Sequence, residues 1–133
     1  MPIEYKIDHA KRLIVARGSG VFTDSDVFGY QREAWSSPEV AGYDELVDMT
    51  DVQEVALPSA DNMRALASLA ASTDPPGGGT KLAIVAPQDF AFGLGRMYEA
   101  YRGFQSASKK EVAVFRTLPE ALAFLGKEGA ETR

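Results

Sequence analysis

The chain has 133 residues, 45% of them apolar and 25% charged, which suits an ordinary globular protein built around a single hydrophobic core. Nineteen acidic residues against fourteen basic ones leave a net charge of -5, which works against binding a nucleic-acid backbone or an anionic lipid surface. The lack of cysteine excludes disulfides, thiolate catalysis and zinc-thiolate sites, and the single His9 excludes paired imidazoles.

The opening "MPIEYKIDHAKRL" alternates charges and has no apolar core of signal-peptide length. No apolar run approaches the roughly 18 residues that span a bilayer, so the expected location is the cytoplasm. Ile3-Glu-Tyr-Lys-Ile7 has the period-two alternation of a half-buried strand, and Leu13-Ile-Val-Ala-Arg17 repeats it after the turn-like "DHAK", which predicts an antiparallel hairpin. His9 then falls in the turn and is expected to face solvent. Gly18-Ser-Gly20 is expected to end the second strand. Thr23-Asp-Ser-Asp26 carries a capping hydroxyl with an acid three residues on, so a helix is expected over about Ser25 to Ser36, with Val27, Phe28, Gln31, Ala34 and Trp35 inward. Ser37-Pro38 stops it.

Glu45-Leu-Val-Asp-Met49 reads as a short third strand. After Pro58, the residues Met63, Leu66, Ala67 and Ala70 recur at i, i+3, i+4 and i+7 of a second helix. Asp74-Pro-Pro-Gly-Gly-Gly79 breaks the chain before Lys81-Leu-Ala-Ile-Val-Ala86, whose lack of alternation predicts a central parallel strand covered on both faces. A third helix starts near Pro87-Gln-Asp89, and Phe90, Leu94, Met97, Tyr101 and Phe104 form its expected core stripe. Val112-Ala-Val-Phe115 is the fifth strand. Thr117-Leu-Pro-Glu120 caps a last helix lined by Leu118, Ala121, Leu122 and Leu125, and Gly126 closes it. Residues 1–126 then form the domain, and 127–133 a polar tail expected to fray.

Strands alternating with helices after a hairpin predict an α/β domain: one mostly parallel five-stranded sheet with an antiparallel N-terminal hairpin and about four helices. The loops after the second to fifth strands should gather at one edge, carrying Thr23, Asp24, Thr50, Asp51, Ser59, Gln88, Asp89 and Thr117.

Catalytic motifs are absent from this pattern. "GGGTK" enters a strand rather than a helix, so it is not a phosphate-binding loop, and Gly93-Leu-Gly95 lacks the third glycine of a dinucleotide fingerprint. Two glycines within a helix instead imply a close approach, by a crossing helix or a second copy. Asp48 and Asp51 have no third ligand near them in sequence, so no metal and no cofactor is expected. Asp48, within an apolar strand, must find hydrogen bonds, for which the amides of the following loop are the nearest donors. Phe92, Arg96, Tyr98 and Arg102 give the third helix an aromatic and cationic second face that suits a partner, or that neighbouring helices cover. Lys109-Lys110 is a short basic cluster, too small to overcome the net negative charge.

The phrases "IEYKID…RLIVARGSGVFTDSD", "YDELVDMTDV", "KLAIVAP" and "VAVFRTLPEALAFL" resemble the SpoIIAA-like proteins, related in fold to STAS domains and to the lipid-carrier Sec14 fold. The resemblance spans nearly residues 2 to 126. It implies a STAS-like α/β fold and, by analogy with antagonists of anti-sigma factors, a phosphorylated serine after the strand ending "VDMTDV". The following loop, "QEVALPSADNM", lacks the Asp-Ser-x-Gly motif, and its Ser59 is also placed to cap the second helix. Cap and phosphorylation site both remain open at this stage.

The expected function is a non-catalytic cytoplasmic binding or regulatory module that meets a protein partner or a second copy of itself. Candidate contacts are Thr50, Asp51, Ser59, Phe92, Arg96, Tyr98 and Arg102. The alternative, which the Sec14 relationship implies, is a carrier or sensor of a small apolar or amphipathic ligand held between the sheet and the third helix.

Overall fold

A computed structural model describes residues 3–56, 59–75, 78–105 and 109–132. The chain runs β1 (Ile3–Asp8), β2 (Leu13–Phe22), α1 (Asp24–Trp35), a 3-10 turn at Pro38–Val40, β3 (Asp44–Val55), α2 (Ala60–Ala71), β4 (Lys81–Val85), α3 (Asp89–Gly103), β5 (Glu111–Phe115) and α4 (Leu118–Leu125). Strands β1 and β2 pair antiparallel, and β2 to β5 are parallel in the order β1-β2-β3-β4-β5. The α/β class, the hairpin and the mostly parallel sheet are those the sequence predicts.

Each crossover joins neighbouring strands and advances in the same direction, so right-handed connections place α1, α2 and α3 on one face of the sheet. Ile14 and Ala16 pack with Tyr30, Ala34 and Trp35 of α1, and Leu82 and Ile84 pack with Ala91 of α3. The alternate residues Leu13, Val15, Ala83 and Val85 lie on the opposite face against Ala121 and Leu125 of α4. Strand β4 is thus buried from both sides, as its unalternating sequence requires.

Strands β2 and β3 are longer than expected. Gly18 does not end β2, because the chain continues to Phe22 through two register shifts against β3, between Arg17 and Ser19 and between Gly20 and Val21. A Cβ at Gly18 would come within 2.6 Å of the Phe22 ring and 2.8 Å of Val52, so glycine here admits a close approach inside the strand. Strand β3 follows the extension to Val55, which puts Thr50 and Asp51 inside a strand rather than in a loop.

The inner face of α3 differs in part from expectation: Leu94 of the expected stripe turns inward and Tyr101 is half-buried, but the other three residues are exposed. Phe90, Met97 and Phe104 are 43%, 44% and 76% exposed, whereas the buried residues are Ala91, Gly95 and Arg102. A Cβ at Gly95 would sit 3.0 Å from a Val114 methyl, so the close approach is to this chain's own β5, while Gly93 has open space around it. Small residues let α3 lie low on the sheet, while Phe90, Met97 and Phe104 are left outside.

The polar tail docks as well. Lys127 Nζ lies 2.7 Å from Asp44 Oδ2, Ala130 packs against the cluster beneath α4, and Thr132 is buried.

Capping follows the sequence closely. Thr23 and Asp26 form a capping box, the Thr117 hydroxyl accepts from the Glu120 amide, and Gly126 closes α4 at φ 68°. Ser59 caps α2 by accepting the Asn62 amide at 3.0 Å; the expectation that Pro58 presets this turn lies outside the described residues. Ser59→Ala is expected to lower stability by about 1 kcal/mol in urea unfolding, with native circular dichroism unchanged.

Candidate functional site

Helix α2 rests on α3 and α1, and its buried face consists of Met63, Ala67 and Ala70. Two alanines cannot reach the sheet below, where β2 offers the small Ala16 and Gly18 beside Phe22. The result is a cavity of about 140 Å³ between the sheet and the three helices. Phe22, Val47, Met49, Met63, Leu82, Ile84 and Leu94 are among the apolar residues of its wall. Asp24, Phe28 and Asn62 belong both to this wall and to an open groove on the outer side of α1, so cavity and solvent meet there. Asn62 Nδ2 donates to Asp24 Oδ2 at 2.6 Å across the gap between α2 and α1.

Polar groups line one part of the wall. Glu45 shares its side of β3 with Val47 and is 6% exposed. Its Oε2 accepts from the Tyr30 hydroxyl at 2.5 Å and from Trp35 Nε1 at 3.3 Å. Burial, then the Glu45 charge and the hydrogen bond to it, push the Tyr30 phenol well above its ordinary pKa. Tyr98 also lines the cavity, and burial likewise raises its pKa, with the nearby Arg102 opposing and Glu45 and Asp74 adding to the rise. Both phenols therefore stay protonated at neutral pH.

Behind this wall lies a buried charge network. Arg102 Nη2 donates to both Asp74 oxygens, at 3.2 and 2.9 Å, and Lys110 Nζ lies 3.9 Å from the same carboxylate. The Lys110 ammonium also sits 4.5 Å from the centre of the Trp35 ring, so the basic pair Lys109-Lys110 is in part interior. Arg102 Nε and Nη1 have no partner among the described residues. Breaking such a pair by removing one member costs roughly 3 to 5 kcal/mol, because a charge is then left buried alone.

The residues singled out in the sequence do not form one surface. Tyr98 faces the cavity, Arg102 is interior and offers a partner no contact, and Phe92 is half-buried beneath Arg116, whose guanidinium lies 4.0 Å from the ring centre. Arg96 is exposed beside Glu99. Thr50 donates its hydroxyl to Asp48 Oδ1 at 2.5 Å, and its amide donates to the same oxygen at 3.0 Å, which answers the need of the buried Asp48. Asp51 pairs with Arg17 at 3.2 Å. Among the edge residues, Thr23, Ser59 and Thr117 are caps and Asp89 pairs with Arg116. Gln88 Nε2 donates to the carbonyls of Met49, Thr50 and Val52, tying α3 to the extended end of β3. His9 is exposed, as expected, with Nδ1 2.8 Å from the Tyr43 hydroxyl.

Sequence reasoning missed Glu45, Tyr30, Trp35 and Asp74 as members of one region. A glutamate at an inward position of an apolar strand was the available signal. Among the described residues no group of three histidine or acidic side chains could hold a metal ion, and no helix is long and apolar enough to cross a membrane.

The phenols set an alkaline limit. In the unfolded chain they ionise near pH 10, whereas in the folded protein they keep their protons to higher pH. Their contribution to stability is complete below pH 10 and is lost as the pH rises further. Urea midpoints measured between pH 8 and 11.5 should fall above pH 10, and Tyr30→Phe and Tyr98→Phe should each flatten that fall.

No protein-family model matches the chain, and no curated protein matches it. Among solved structures it is similar to an uncharacterised DUF3478-family protein with a SpoIIAA-like fold from Shewanella loihica PV-4. The identity is 17% and the TM-score 0.59, over 92% of this chain and 93% of that one. The chain therefore has a SpoIIAA-like fold.

Proposed function

We propose that the protein is a non-catalytic cytoplasmic module that carries or senses a small apolar molecule in the cavity beneath α2. The observation that supports this reading is the cavity itself, about 140 Å³ of space walled chiefly by aliphatic and aromatic side chains and reaching solvent beside Asn62. Apolar cavities of this size stay dry and take up a molecule as small as benzene, because an occupant regains dispersion contacts that the lining otherwise lacks.

Toluene is the probe. At a hundred times its dissociation constant, a ligand selective for the folded state adds about 2.7 kcal/mol of stability, visible as a raised unfolding temperature. Ala16→Leu, which extends a side chain from the cavity floor, is expected to abolish the rise while leaving the circular dichroism native. If toluene at millimolar concentration moves neither the unfolding temperature nor the amide NMR shifts of Val47, Met63 and Tyr98, the reading is wrong.

A second reading, association with a protein partner or a second copy, is favoured by the outward stripe of Phe90, Met97 and Phe104, with Arg96 beside it. Apolar side chains aligned on one exposed helix face and flanked by an arginine have the composition of an interface. Sedimentation equilibrium should then show concentration-dependent self-association that Met97→Glu removes. A wild-type chain that stays monomeric at all concentrations would set the homodimer form of this reading aside.

A further inference from the structure

The polar part of the cavity wall carries information about its occupant. Glu45 Oε2 already accepts two hydrogen bonds, from Tyr30 and Trp35, which hold the carboxylate in one orientation. Its other oxygen, Oε1, accepts none among the described residues, although Glu45 is 6% exposed and lines the cavity. Gln31, also buried and also in the wall, donates its Nε2 to Thr73 Oγ1 at 3.3 Å and leaves its carbonyl oxygen unused. A carboxylate oxygen bordering a largely apolar cavity is costly unless something donates to it. The Tyr98 hydroxyl, the third polar group here, makes no hydrogen bond to a described residue and can donate or accept.

We infer that the occupant is an apolar molecule ending in a hydrogen-bond donor, a hydroxyl or an amine, which Glu45 Oε1 accepts. This rests on the cavity reading above and narrows it. The volume limits the occupant to roughly six to nine non-hydrogen atoms, by comparison with the cavity size that takes benzene. The same carboxylate excludes a small carboxylic acid in its ionised form, since two anions would meet at close range in a medium of low dielectric. Glu45 would therefore act as the specificity determinant, and the aliphatic wall as the sequence-tolerant remainder of the site.

The test is a set of probes alike in shape: toluene, benzyl alcohol, benzylamine and benzoate, titrated into the wild-type chain and followed by amide NMR shifts. A hydrogen bond to a charged acceptor corresponds to roughly ten- to a hundredfold in affinity, so benzyl alcohol or benzylamine should bind that much more tightly than toluene, with benzoate weakest. Nuclear Overhauser contacts should connect the benzylic protons to the Glu45 side chain. In Glu45→Gln the amide oxygen can still accept from Tyr30 and Trp35 while its NH2 turns to the cavity. The preference should then pass from benzyl alcohol to acetophenone, a change that general loss of packing does not produce.

Equal affinity for toluene and benzyl alcohol would overturn the inference and leave the apolar-carrier reading standing. So would benzoate binding best, or an Overhauser pattern that places the aromatic ring against Glu45. Failure of all four probes to bind would overturn the carrier reading and the inference together. Should Glu45→Gln not fold, the wild-type ranking and the Overhauser contacts decide the matter alone.

Discussion

A carboxylate taken out of water on an inner strand must be surrounded by donors, and Glu45 on β3 imposes that condition on much of this molecule. Tyr30 and Trp35 meet it from α1, which fixes how that helix lies against the sheet. Trp35 in turn receives the Lys110 ammonium on its ring, and Lys110 shares Asp74 with Arg102 of α3. One sequence of contacts thus links α1, β3, the segment after α2, α3 and the entry to β5. Two buried acids and two buried bases offset one another within this network, which is balanced although the chain carries -5.

This polar layer explains why the adjacent space is not filled. Helix α1 is held in place by hydrogen bonds, and α3 is drawn down on β5 through Gly95, leaving α2 to bridge the two with alanines. Larger residues on α2 would close the gap, and in a core selected for stability alone they would add roughly 0.8 kcal/mol for each buried methylene. The unfilled volume coincides with polar groups that still have unused bonding capacity, and the proposed binding role rests on that coincidence.

Much of the fold was legible. Alternation marked β1 and the start of β2, an unbroken apolar run marked β4, and hydroxyl-to-acid spacings marked the starts of α1 and α4. The inner face of α3 was not, because periodicity locates stripes without saying which of two faces the core, and the larger side chains point to the wrong one when the sheet demands close approach. The lengths of β2 and β3 were hidden by glycines that usually end strands but here make room for Phe22. The site was least legible of all. Glu45, Tyr30 and Trp35 lie within a short stretch of chain, yet nothing in their spacing marks them as a cluster, and Asp74 and Arg102 meet across an intervening strand.

The strand order has a consequence for how the chain acquires its structure. Because every strand pairs with the one before it in sequence, no strand must be threaded between two that are already joined. Contacts close over one strand-helix unit at a time, which keeps the entropy of loop closure low and permits growth from the N-terminus as the chain emerges from synthesis. Lys110 stands immediately before β5, so the nascent chain carries the Asp74–Arg102 pair without this third charge until the last strand arrives.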